Sequence, residues 1–170
     1  MKLLKYTSGL IGLVILIFLL IGVFSKTTEF KQEFSINQPT ELVFGAIMDP
    51  RRMQDWVEGL EKIEPVNGFM NGIGTQYMIS FNYKNSKFTI LQKVLGFQWK
   101  KQLDLMFYPP HMNIRMDLRF DEYNNSTNMI LNTTITGDNL FWRSVLFLKK
   151  PAIKKIINSN IENLEQMLNT

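Results

Sequence analysis

The only histidine in the chain is His111. It follows Pro109-Pro110 in a stretch that reads as a loop between strands, where an imidazole is ordinarily solvated. Acid–base catalysis wants a pair of titratable groups whose surroundings push their pKa values apart. The carboxylates offer no such pair. Asp104, Asp117 and Asp121 fall on the polar phases of alternating segments and are expected to face solvent. Glu58, Glu61 and Glu64 recur every third residue around a helix end and a strand start, the pattern of a solvated face. The patterns HExxH, GxSxG, GxGxxG and the phosphate loop do not occur. One histidine, scattered carboxylates and no cysteine supply no metal-ligand set and no thiol nucleophile. The sequence therefore predicts no catalytic residue, no metal and no cofactor.

Polar groups on apolar phases are more informative. Tyr77 and Trp99 fall on apolar strand phases, and Asn160 falls on the apolar stripe of a long helix. If buried, each needs a hydrogen-bond partner. Around a cavity they would orient the polar end of an apolar ligand; otherwise they bond to each other or to backbone. Lys101 also breaks an apolar phase, as a side chain snorkelling at a sheet rim or marking a cavity mouth. Lys149, Lys150, Lys154 and Lys155 flank Pro151, with Arg143 upstream. Such a cluster either solubilises a helix face or meets anionic headgroups, at about 1 kcal/mol per charge. Triplets beginning at Asn124, Asn125 and Asn132 match the glycosylation acceptor, which has meaning only in a eukaryotic secretory pathway.

These residues must be positioned by a sheet and a helix. From Leu140 to Thr170, Trp142, Leu146, Ile153, Ile157, Leu164 and Leu168 form one stripe at helical spacing, beside Val145, Ile156, Ile161 and Met167. Asp138 or Asn139 is the expected N-cap, and Pro151 is expected to kink or restart the helix. The middle of the chain alternates with period two. Tyr77, Ile79 and Phe81 form one apolar phase; Phe88, Ile90 and Val94 another; then Trp99, Leu103, Leu105 and Phe107. Met112 to Phe120 alternates strictly, and Met129, Leu131 and Ile135 return after Asn124-Asn125. Alternation means an antiparallel sheet with one wet face and one apolar face. Turns are read at Gly68, Asn71-Gly72 and Gly74, and again over 82–86. Upstream, Phe30 to Ile36 reads as a strand. Pro39-Thr40 opens a helix carrying Leu42, Val43, Ala46 and Ile47. Asp49-Pro50 opens a shorter one carrying Met53 and Trp56.

Tyr6 to Ser25 contains no charged residue and is bracketed by Lys5 and Lys26. About 20 apolar residues span a hydrocarbon core of roughly 30 Å, and the run exceeds the usual apolar core of a signal peptide. It is read as an uncleaved transmembrane anchor over residues 1–26, ahead of a domain over 27–170. Ser8 and Gly12 make a small-xxx-small pair. Lys2 and Lys5 favour a cytoplasmic N-terminus and a domain on the non-cytoplasmic face. The formal charge is +4, of which those two lysines supply two. That surplus gives no argument for a nucleic-acid partner.

The order strand, two short helices, about six strands, long helix, with the stretch Phe34 to Pro50 and on to Trp56, resembles the START-like (SRPBCC, helix-grip) superfamily. Within it, the chain is most similar to the polyketide cyclase/dehydrase and lipid-transport branch. Gly72-Ile73-Gly74-Thr75 before a strand also resembles that family's turn. The resemblance covers roughly Glu29 to Leu168. It implies an α+β helix-grip fold, in which a curved antiparallel sheet of six to seven strands grips the C-terminal helix over a hydrophobic cavity. Cavity candidates are Trp56, Tyr77, Ile79, Trp99, Leu103, Met116, Leu118, Leu131, Ile157, Asn160 and Ile161. With 10 Met and 13 Phe as soft apolar fillers and no catalytic set, the sequence reads as a membrane-anchored, non-enzymatic binder of a hydrophobic small molecule or lipid. Two alternatives stay open: a polyketide cyclase/dehydrase-like enzyme, and a ligand-free, membrane-tethered interaction module.

Overall fold

The computed structural model describes residues 2–67, 72–83 and 86–170, with the side chains of residues 2–5 and Ser8 excepted. The turn residues Gly68 and Asn71, and part of the turn over 82–86, lie outside the described residues. The chain runs α1 (Lys2–Phe24), β1 (Thr27–Ile36), α2 (Thr40–Met48), α3 (Pro50–Trp56), β2 (Leu60–Asn67), β3 (Gln76–Tyr83), β4 (Ser86–Gln98), β5 (Gln102–Tyr108), β6 (Met112–Tyr123), β7 (Ser126–Gly137) and α4 (Leu140–Leu168). The seven strands form one antiparallel sheet in the order β1-β7-β6-β5-β4-β3-β2. Only β1 leaves sequence order, pairing with β7 and so closing the far edge against the last strand.

Local chemistry sets the boundaries. The Asp49 carboxylate accepts from Arg51 N–H and caps α3, with Pro50 at the first helical position. The Asn139 side chain accepts from Trp142 N–H and caps α4. Asn124 and Asn125, both at positive φ, make the two-residue turn of the β6–β7 hairpin, the turn geometry that matches strand twist. Between Val94 and Gly96 the β4–β5 register shifts. A Cβ on Gly96 would lie 2.6 Å from a carboxylate oxygen of Asp104, so any side chain here would have to displace that carboxylate.

Three expectations are corrected here. First, α4 does not restart at Pro151 but is continuous through it. A 29-residue helix held by tertiary contacts on both sides of the proline tolerates the loss of one internal hydrogen bond. Second, among the described residues no helix is long and apolar enough to cross a membrane. The C-terminal half of α1 instead packs along the start of α4. The Ser144 hydroxyl donates to the Phe18 carbonyl, Phe18 meets Phe141 at 5.5 Å between ring centroids, and Gly22 fits against Leu140 where no larger residue could. Third, Asp104 does not face solvent. It lies on the outer phase of β5 but is only 7% exposed, with its carboxylate held by Arg119 and Gln102.

Candidate functional site

The concave face of the sheet is built by the apolar phases read from sequence, and α3 and α4 close over it. Between them lies a cavity of about 370 Å³. Interiors normally leave few voids larger than a water molecule, so a space of this size stands apart from ordinary core packing.

Ten of the eleven cavity candidates line it. Tyr77 and Ile79 come from β3, Leu103 from β5, Met116 and Leu118 from β6, and Leu131 from β7. Trp56 closes the α3 end, and Ile157, Asn160 and Ile161 descend from α4. Trp99 does not line the cavity. β4 ends at Gln98 and β5 begins at Gln102, so Trp99 sits in the intervening turn rather than on a strand phase. It is 51% exposed and packs edge-on against Phe44 at 5.2 Å. Lys101 lies exposed in the same turn, where its backbone N–H donates to the Gln98 carbonyl, and it does not line the cavity.

Asn160 has the partner that its position on the apolar stripe demanded. Its side-chain oxygen accepts from Glu58 N–H at 3.0 Å. One turn later, Asn163 donates to the Trp56 carbonyl at 3.2 Å. Together they fasten the α3–β2 connection to α4 along one edge of the cavity. The Trp56 indole donates to the Ala46 carbonyl at 3.4 Å, which fixes the ring.

Among the lining residues that the sequence reading did not single out are two polar ones on strand phases. Gln92 interrupts the phase Phe88, Ile90, Val94 on β4, and Thr133 interrupts Leu131, Ile135 on β7; both are buried. The signal was available, since each is a polar residue on a cavity-facing phase. The charged lining is sparse. Among the described residues the lining holds no lysine, arginine or histidine, and Glu58 is its single carboxylate. No group of three or more potential metal ligands occurs among the described residues. His111, at positive φ in the β5–β6 turn, stacks on Trp142 at 5.0 Å and does not line the cavity. Of the four lysines around Pro151, Lys154 lies over the Phe30 ring.

No family model matches the sequence, and no curated protein is similar to it at the sequence level. Solved structures are similar in fold. A conserved protein from Geobacillus kaustophilus superposes with a TM-score of 0.71 at 10% identity, covering 84% of this chain and 95% of that one. Ara h 8.0201 gives 0.70 at 13% identity over 84% and 97%. The Zhui aromatase/cyclase from a Streptomyces species gives 0.69 at 10% identity over 84% and 94%. A seven-stranded antiparallel sheet gripping a long C-terminal helix is the helix-grip fold, and this chain has it. At these identities the likeness shows the fold and no more, because one fold hosts many functions.

Proposed function

We propose that the domain binds a hydrophobic small molecule or lipid between the sheet and α4. The cavity carries this reading: its volume lies within the roughly 300–1,000 Å³ of small-molecule sites, and like them it is walled by apolar side chains with few polar groups. The test compares small molecules co-purifying with the full chain in lipid nanodiscs and with Leu105→Trp, which fills the space. A species enriched in the wild type and absent from the filled variant supports the reading. Indistinguishable extracts, with both proteins folded, remove it and leave the interaction module.

The enzyme reading has one observation behind it. Tyr77 is a buried phenol on the cavity wall, and an aromatase/cyclase shares the fold. A cyclase would need that hydroxyl or a group acting beside it, so Tyr77→Phe retaining full turnover of a polyketide-like substrate would remove the residue from any mechanism.

We also read α1 as the contact with a bilayer, with the domain on the non-cytoplasmic face. The support is that Leu10, Ile11, Leu13 and Val14 are all exposed, an apolar surface that water does not favour. Flotation with liposomes tests the contact, and Leu13→Lys with Leu16→Lys should abolish it. Protease protection in sealed vesicles tests the side.

A further inference from the structure

We infer that the ligand of this cavity is uncharged: an apolar molecule with one hydrogen-bonding head group, a hydroxyl or a carbonyl, met by the side-chain amide of Gln92. This rests on the binding reading above and adds the chemical class of the ligand. Gln92 lies on the cavity-facing phase of β4, opposite Tyr77 on one side and Phe107 on the other. It is 6% exposed and lines the cavity. A polar side chain on an apolar wall is costly unless something completes its hydrogen bonds. The amide both donates and accepts, so a hydroxyl and a carbonyl each fit it. On β7 the Thr133 hydroxyl, 2% exposed and also on the lining, has no partner among the described residues.

The charge pattern excludes ionic heads. A carboxylate or phosphate drawn inside would find no lysine, arginine or histidine on the described lining, and would pass Glu58 at the edge. A cationic head would find only that carboxylate, which is exposed. An ion taken out of water without a partner loses far more than a neutral head group does. The cavity is therefore selective by the absence of counter-charge as much as by apolar contact.

The probes are a straight-chain alcohol, methyl ketone, carboxylate, trimethylammonium and plain alkane of equal length. Each displaces the neutral fluorophore N-phenyl-1-naphthylamine from the full chain in zwitterionic nanodiscs at neutral pH, with Leu105→Trp supplying the background from the lipid. The alcohol and ketone are expected to bind about tenfold more tightly than either ion. Gln92→Leu should weaken the alcohol and ketone and leave the alkane unchanged; Thr133→Val serves as a second variant if Gln92→Leu does not fold. A carboxylate binding as well as the alcohol overturns the inference and leaves the cavity reading intact. Fluorophore signal no higher than in Leu105→Trp overturns both.

Discussion

Asp104 shows how a residue that alternation places at the surface becomes part of the interior. Burial pushes its carboxyl up, but hydrogen bonds from Arg119 and Gln102 and the charges of Arg119 and Arg115 outweigh that and hold it below the ordinary carboxylate value. A lowered folded-state pKa contributes stability that is present above the unfolded value and lost as the pH falls through the folded one. Arg119 is itself 42% exposed, so solvent screens part of its attraction. Arg119→Leu should therefore cost about 1–3 kcal/mol at neutral pH. The gap from wild type should close in acid, once Asp104 is protonated in both. Thermal melts across that range check it, and a gap independent of pH would remove Asp104 as the cause. The polar phase of Asp104 was legible in the sequence and its burial was not. Burial depends on Gly96, whose missing side chain across the β4 bulge leaves the space that the carboxylate fills. Trp99 failed for a related reason: alternation counts residues and does not see that three of them have left the strands to turn.

At the scale of elements, α4 organises both halves of the molecule. Its later turns close the cavity and its first turns receive α1. The stripe, the Asn139 cap and the partner required by Asn160 could all be read from residue types, because each follows from local hydrogen bonding and helical period. The seat for α1 could not, because a helix apolar on every side carries no mark of which side docks. The structure identifies that side by Gly22, where a Cβ would lie 2.2 Å from the Leu140 carbonyl oxygen. Small residues let helices approach this closely. Gly22→Val should push α1 away from α4. The chain has no cysteine, so cysteines placed at Phe18 and Phe141 report the separation directly. They should cross-link with Gly22 present and fail to do so with valine, and equal cross-linking would show that the contact is not close. At the other end, Asn160→Ala removes the acceptor for Glu58 N–H at a cost of about 1 kcal/mol. Amide exchange at Glu58 should accelerate several-fold while exchange in β6 and β7 stays unchanged. A uniform acceleration would mean that Asn160 supports the whole fold rather than this edge.

The whole molecule divides its sheet between two tasks. The outer face carries ion pairs such as Arg115–Asp117 and Lys31–Glu33, while the inner face is given to apolar side chains that do not fill the space they enclose. An unfilled interior forfeits dispersion contacts that a packed one would make, so the fold holds this volume at the expense of its own stability. Whatever occupies the cavity returns those contacts, and because the unfolded chain has no cavity, the occupant binds the folded state alone. Ligand at about one hundred times its dissociation constant then adds about 2.7 kcal/mol. For a domain of this size that raises the melting temperature by roughly 5–10 °C, at about 2–4 °C per kcal/mol. Stripping the full chain of co-purified small molecules should lower its melting temperature by that order, and returning the extract should restore it. Leu105→Trp separates the cavity from any general effect of lipid on α1: its melting temperature should respond to neither stripping nor return. If the filled variant tracks the wild type, the stabilising molecule sits elsewhere, and the exposed apolar face of α1 is the place to look for it.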